Sequence, residues 1–263
     1  MLHAFRVLAP DWPETVGAGF RTSLHVRSID DGWRIDGADH VDPGQPYGEI
    51  YEVANGLIGC LTACYLANEP DILCLHAAAV QTPSGLIALL GPNFTGKSTL
   101  AVALAAQGWP LFCDDRLLVS WRPQPEGRSL GIATKLRLPL PEDADAGLRA
   151  FVERHAAWDA ARFAILDGPG AARARFAAQG RLAAFILLQR HEDATKPDLE
   201  RLSRPDAVRA LLQQHFAPQL TTAELLTACA DVARIVPAWQ FRYSGCSSAA
   251  TVLRGALEQE LSG

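Results

Sequence analysis

Gly91-Pro92-Asn93-Phe94-Thr95-Gly96-Lys97-Ser98 follows the spacing G-x-x-x-x-G-K-[ST], the pattern of a loop that holds phosphate. Glycines let the backbone curl around an anion so that successive N–H groups point inward. A helix starting near Lys97 adds the positive end of its dipole. In such a loop Lys97 reaches the β- and γ-phosphates of a nucleotide. The Ser98 hydroxyl ligates Mg²⁺, and Thr99 is a poorer candidate for the same role. A short pattern arises by chance, so its flanks decide. Gly85 to Leu90 is an apolar run that reads as a buried strand, and Thr99 to Ala106 is rich in helix formers and stops before Gly108. The chain has only three lysines against 21 arginines, and Lys97 is one of the three. Residues 91 to 99 are therefore expected to form a nucleotide-phosphate site. The loop does not say what happens to the γ-phosphate.

Phosphoryl transfer also needs a metal and a group that orients the nucleophile. Asp114 and Asp115 lie 17 and 18 residues after Lys97, beyond the helix and a short strand, Leu111-Phe112-Cys113. Adjacent strand residues point to opposite faces, so both carboxylates serve one site only if the strand ends there. On that reading Asp114 orients or deprotonates a hydroxyl and Asp115 holds Mg²⁺. The bland alternative is a surface turn or a helix cap. His76 stands 21 residues before Lys97 in the apolar run Leu73 to Val80. It is either a core histidine or a partner that tunes Asp114.

These residues need elements to position them. Thr22 to Arg27 reads as a strand, Asp31-Gly32 as a hairpin turn and Trp33 to Ile35 as the return strand. Tyr51 to Ala67 reads as a mostly apolar helix. Ile72 to Val80 is predicted as one strand carrying His76, and Leu117 to Trp121 as another. Arg122 to Arg128 is a Pro/Gly loop. Thr134 to Leu140 alternates Lys135 and Arg137 with leucines, a strand with basic residues on one side. Asp143 to Phe163 looks helical, Gly168-Pro169-Gly170 breaks the chain, and Ala183 to Leu188 is a strand. Helices are predicted over Ser203 to Phe216, from Thr221 onward with Glu224 completing a capping box, and over Ser247 to Leu261. Trp239 to Tyr243 is the last strand candidate.

Composition narrows the function. The 263 residues are 49% apolar, enough for a sizeable core, and carry a formal charge of −5. The arginines are scattered without a basic stripe, so nucleic-acid binding has no electrostatic footprint. Met1 to Val7 lacks the apolar segment of a signal peptide. Val53 to Leu66 is too short and too broken by polar and glycine residues to span a membrane. A cytoplasmic protein is expected. The six cysteines offer no C-x-x-C and no paired zinc spacing, so they read as reduced core residues.

Leu75-His76-Ala77, the Gly91 to Ser98 loop and Asp114-Asp115, in that order and spacing, resemble the catalytic core of the HPr kinase/phosphorylase superfamily, whose P-loop fold is akin to PEP carboxykinase. The resemblance covers residues 72–121. It implies an α/β fold, a small N-terminal β-rich region with one helix over residues 1–71, and a P-loop kinase domain over residues 72–263. It implies ATP and Mg²⁺ as cofactors and a serine hydroxyl of a protein or peptide as acceptor. By carry-over, Asp114 is the base, His76 its neighbour, and Ser98 and Asp115 the metal ligands. Lys135 and Arg137 sit where such proteins place basic residues near the transferred phosphate, and Arg137 is counted with the nucleotide site. Glu126 to Gly131 imitates part of a signature of the bifunctional enzymes but lies too close to Asp114-Asp115, so no phosphorylase activity is carried over. The short N-terminal part and the ending are more similar to the HPr-kinase-related proteins of lasso-peptide clusters. An oligomer is compatible with the resemblance, though no residue here requires one.

Three other readings of the loop stand beside this one. One is a small-molecule P-loop kinase, and another a nucleotide-binding but non-catalytic regulator. The third is a GTPase, because Ile165 to Gly170 contains D-x-x-G from Asp167 and Thr195-Lys196-Pro197-Asp198 fits [NT]-K-x-D. Against the GTPase, Thr195 lies seven residues beyond the strand predicted to end at Leu188, and the stretch from Asp167 is short for the units that should intervene.

Overall fold

The structure, a computed structural model, describes residues 1–12, 24–37, 46–160, 162–167, 173–191 and 196–261. It opens with α1 (Leu2–Leu8), which the alternation in this region did not predict, followed by the antiparallel strands β1 (Leu24–Ile29) and β2 (Gly32–Gly37). The predicted hairpin is present, turning through Asp30-Asp31, one residue earlier than expected; the strand start at Thr22 lies outside the described residues. Next comes α2 (Ile50–Leu66), closely matching the predicted helix. Its start is a capping box in which Glu52 Oε2 accepts from the Glu49 N–H at 3.3 Å.

The run Ile72 to Val80 is two strands rather than one, β3 (Ile72–Leu75) and β4 (Ala78–Thr82). The chain leaves β3 at His76, whose N–H donates to the Gln214 carbonyl at 2.7 Å. An apolar run cannot reveal such a break, because both strands are buried on both faces. Then come β5 (Gly85–Leu90), α3 (Lys97–Ala106), β6 (Leu111–Cys113), β7 (Leu117–Ser120), β8 (Glu126–Ser129) and β9 (Thr134–Arg137). Part of the predicted Arg122 to Arg128 loop is thus strand, because Glu126, Gly127 and Arg128 pair antiparallel with β7.

The helix predicted over Asp143 to Phe163 is cut short. Only α4 (Ala146–His155) is helical, capped by Asp145, whose carboxylate accepts from the Leu148 N–H at 2.7 Å. The chain then forms the hairpin of β10 (Ala156–Ala160) and β11 (Phe163–Leu166). Alanines favour helix, but here strand pairing and the packing of Trp158 against Tyr51 and Phe163 override them. The remaining elements are β12 (Gln179–Arg190), β13 (Asp198–Arg201), α5 (Arg204–Gln214), β14 (His215–Phe216), α6 (Thr222–Ile235), β15 (Ala238–Tyr243) and α7 (Cys246–Glu260). The predicted end of α5 at Phe216 is corrected, since His215 and Phe216 pair with β3.

The strands form one mixed sheet of ten, a separate sheet of β10, β11 and β9, and the two-stranded sheet of β1 and β2. In the large sheet β5, β12 and β15 run parallel, with β4 and β6 beyond β5 and β13 outside β15. The first residues of β12 pair antiparallel with β8, which leads through β7 and β3 to β14. With seven helices among the described residues, the fold is mixed α/β.

Buried β5 has apolar layers on both faces, which explains its uninterrupted apolar sequence. On one face α3, α4 and α7 pack over Val80, Ile87, Leu89 and Phe241. On the other, α5 and α6 cover Leu86, Leu90 and Phe185. A third cluster joins Leu8 of α1 and Tyr51 and Ile58 of α2 to Cys74, Leu118 and Ile165. The six cysteines are all unpaired thiols. No helix of the described residues is long and apolar enough to cross a membrane.

Candidate functional site

Parallel strands bring their carboxyl ends to one edge, and ligands of open α/β sheets gather there. At that edge β5 runs into the glycine-bounded loop, β12 ends on Arg190, and β15 ends on Tyr243. Two glycines of the loop are required by geometry. Gly91 has φ 147°, and a Cβ on it would stand 3.1 Å from the Leu188 carbonyl oxygen. Gly96 has φ 91°, and its Cβ would stand 2.7 Å from the Tyr243 hydroxyl, which itself donates to the Thr95 carbonyl. The loop is thus pinned against the end of β15.

Lys97 begins α3 and is only 7% exposed. Its ammonium donates to the Gly91 carbonyl at 2.7 Å and the Pro92 carbonyl at 3.1 Å, drawing the loop around it. Burial pushes its pKa below the usual lysine value. Phe94 is the odd member of the loop: it has φ 69° and is 77% exposed. The Arg137 guanidinium stacks over its ring at 4.0 Å.

The strand β6 ends at Cys113, and Asp115 takes a left-handed φ of 65°, reversing the chain toward β7. Both carboxylates thereby line the same cavity, in very different settings. Asp114 is 4% exposed. Its Oδ1 accepts from the Ser98 hydroxyl at 2.8 Å and its Oδ2 from the Lys135 N–H at 3.3 Å. Burial and the neighbouring Asp115 charge raise its pKa to about 6, while the Ser98 bond works in the opposite direction. The Asp115 side chain is 43% exposed, with Oδ1 3.6 Å from His76 Nδ1 and Oδ2 3.0 Å from the Arg116 guanidinium. Burial and the Lys97 charge lower the His76 pKa, against the pull of Asp115. The expected contact of His76 with Asp114 is therefore replaced by one with Asp115. The reversal at Asp115 brings that carboxylate, not the buried one, to the histidine.

A cavity of about 380 Å³ opens on these groups. Asn93, Phe94, Gly96, Lys97, Ser98 and Thr99 line it, with His76, Asp114, Asp115 and Arg137. Gly91, Pro92 and Thr95 belong to the loop but not to the cavity wall; their roles are structural, through the Lys97 and Tyr243 bonds. Sequence reasoning missed Arg190, Tyr51 and Asn55, which also line the cavity. Arg190 was findable as the first charge after a buried parallel strand. Tyr51 and Asn55 lie four apart on α2, where nothing in the sequence points to a site.

The donor set suits a metal–nucleotide complex. Lys97, Lys135, Arg137 and Arg190 face two carboxylates. Among the described residues no group of three or more His, Cys, Asp or Glu side chains is arranged to hold a metal. A divalent cation here would be shared between Ser98, an aspartate and phosphate oxygens, the usual habit of Mg²⁺. Of the GTPase reading, the described residues Asp167 and Asp198 do not line this cavity, and Gly168-Pro169-Gly170 lies outside the described residues. Asp167 is bound by Arg173 at 2.6 Å, and Asp198 sits at the sheet edge 3.8 Å from Arg242. Thr195 lies outside the described residues.

No family model matches the chain, and no curated protein matches it. Among solved structures it is similar to the Hpr(Ser) kinase/phosphatase from Coxiella burnetii, at 16% identity over 71% of this chain and 89% of that one, with a TM-score of 0.39. A likeness that loose carries no argument about activity, which rests on the site itself.

Proposed function

We propose that the protein is an ATP-dependent phosphotransferase that moves the γ-phosphoryl group to a serine hydroxyl of a protein or peptide. The observation that carries the reading is the convergence on one cavity of a glycine-bounded loop, its buried lysine, and the two pairs Ser98–Asp114 and His76–Asp115. The serine acceptor rests on the resemblance of the three sequence elements, and a lasso-type precursor peptide is the first acceptor to assay.

The loop amides and Lys97 bind the phosphates, aided by the amino end of α3. Arg137 and Arg190 add positive charge at the cavity wall. Mg²⁺, held by Ser98 with an aspartate, would neutralise charge on the phosphate oxygens. The contacts favour Asp114 for that role. It is buried, already joined to Ser98, and both its oxygens are engaged. A cation would also reverse the two causes that raise its pKa. Asp115 is the carboxylate a hydroxyl can reach from solvent, with the His76 ring beside it. This exchanges the roles that the resemblance implies for the two aspartates. In the transfer the seryl oxygen forms a bond to the γ-phosphorus as the bond to the ADP oxygen breaks, and the seryl proton passes to Asp115. A loose transition state needs little proton abstraction early, so a carboxylate can serve by orienting the hydroxyl.

The test is transfer of label from γ-labelled ATP to serine peptides, with Mg²⁺-dependent ATP binding measured in parallel. Asp115→Asn should lower transfer on the order of 1,000-fold while ATP still binds with Mg²⁺. Asp114→Asn should remove the Mg²⁺ dependence of binding. Near-normal transfer by Asp115→Asn would return the orienting role to Asp114.

A further inference from the structure

We propose that Tyr51, carried by α2 outside the large sheet, is a positioning residue for phosphoryl transfer: with Phe163 it cradles the Lys135 ammonium where the phosphoryl group crosses to its acceptor. The proposal rests on the kinase reading and extends it to a helix on which no sequence motif falls.

Lys135 sits on β9, whose side chains alternate buried and exposed, so its side chain leaves the core with that of Arg137. Its ammonium lies 4.3 Å from the centroid of the Tyr51 ring and 4.9 Å from that of Phe163. The two rings pack on each other with centroids 4.2 Å apart, and Tyr51 is only 4% exposed. Tyr51 is therefore part of the core, and the partly buried Phe163 packs against it. Among the described residues no carboxylate oxygen lies within ion-pair distance of Lys135. The nearest acidic influences are Asp115 and Glu52, against the opposing charge of Arg137.

An aromatic face and a carboxylate hold an ammonium in different ways. A carboxylate neutralises the charge and takes its N–H donors. A ring attracts the charge through its quadrupole and leaves most donors free. Two rings thus fix the cation in place while keeping it available to an anion, which is the preorganisation that transition-state stabilisation requires.

The location specifies which anion. A second cavity, of about 610 Å³, adjoins the nucleotide cavity and is lined by Tyr47, Glu52, Gly59 and Arg116. The two share Tyr51, Asn55 and Lys135. Attacking and leaving oxygens approach roughly in line from opposite sides of the transferred group. With the acceptor entering through the second cavity, a cation on the shared wall stands beside the group in passage, and its backbone N–H is tied to Asp114. Lys135 is accordingly placed to bind the phosphoryl group in passage more tightly than the resting triphosphate.

Binding of Mg-ADP and of Mg-ADP with aluminium fluoride, a mimic of the planar phosphoryl group, tests this by thermal shift and titration. In the unmodified protein the fluoride should add a clear increment to stability over Mg-ADP alone. Lys135→Gln and Tyr51→Leu should lose it, with the fluoride complex bound at least tenfold more weakly and Mg-ADP bound within about twofold of normal. Tyr51→Phe, which keeps the ring, should restore the increment. Phe163→Leu should reduce it and serves if Tyr51→Leu does not fold. A Tyr51→Leu or Phe163→Leu protein that keeps the full increment overturns the proposal, as does an unmodified protein that binds Mg-ADP but shows no increment. Failure to bind Mg-ADP at all sinks instead the kinase reading on which the proposal rests.

Discussion

The two walls of the nucleotide cavity are built in opposite ways. One wall is the loop and the start of α3, a contiguous stretch of chain that binds by backbone amides and a buried lysine. The other is made of Lys135 and Arg137 on β9, Tyr51 and Asn55 on α2, and Arg190 at the end of β12, gathered from distant parts of the chain. The contiguous wall holds its cation by hydrogen bonds to carbonyls, so Lys97 is satisfied before any ligand arrives. The assembled wall holds two of its cations on aromatic rings, Lys135 on Tyr51 and Phe163, and Arg137 on Phe94. On the proposed function, the first arrangement serves binding and the second keeps charge in reserve for transfer.

The contrast breaks most sharply at Lys97. Lys97→Ala should weaken nucleotide binding about 100-fold (~3 kcal/mol), since it removes a charged donor and its bonds to the Gly91 and Pro92 carbonyls, of which only Pro92 keeps another donor in Thr95. Equal ATP affinity in the variant, measured by calorimetry, would mean the contiguous wall does not bind phosphate. Next comes Gly96→Ala. It places a Cβ against the Tyr243 hydroxyl at a φ that side chains rarely adopt, and should cost about 1–3 kcal/mol, read as a lowered Tm and weaker ATP binding.

A smaller effect is expected from pH. The Asp114 pKa is raised to about 6 from a reference of 3.8. A raised carboxylate contributes stability to the ligand-free protein below its unfolded pKa and loses it as pH rises through about 6. Binding of Mg²⁺ with nucleotide needs the ionised form, so it should take up Asp114 as carboxylate and be about fourfold weaker at pH 5.5 than at pH 7.5. Asp114→Asn should flatten that dependence; an unchanged profile would assign it to another group. The smallest effect is at Phe94. Phe94→Ala removes an exposed cation–π contact worth about 0.5–1 kcal/mol, so ATP affinity should change by roughly fivefold or less. A larger loss would mean that the Phe94–Arg137 contact, which bridges the two walls, takes part in binding.

The same division governs what was legible in the sequence. The contiguous wall could be read in full, because strand, loop and helix are specified by neighbours in the chain. So could the termination of β6 before Asp114-Asp115, since two adjacent carboxylates can share a site only at a strand end. The break at His76 was not legible, because a strand that changes partners within an apolar run keeps the same composition. Nor was the hairpin after α4, where Ala156 and Ala157 carry a helical signal that pairing with β11 overrides. The division of labour between the aspartates was hidden too. It depends on a single left-handed residue, Asp115, and on which carboxylate Ser98 reaches.

By itself the sequence determined that a glycine-bounded loop follows a buried strand and opens a helix, that two carboxylates and a histidine stand at set distances along the chain, and that basic residues share one side of β9. Those are local properties, fixed by residue type, spacing and backbone conformation. Only the tertiary structure decided that Ser98 pairs with Asp114, that His76 pairs with Asp115, and that Tyr51 reaches Lys135 across more than 80 positions. Such contacts arise from packing between remote segments. Each residue involved looks like an ordinary core or surface residue until its neighbours in space are known.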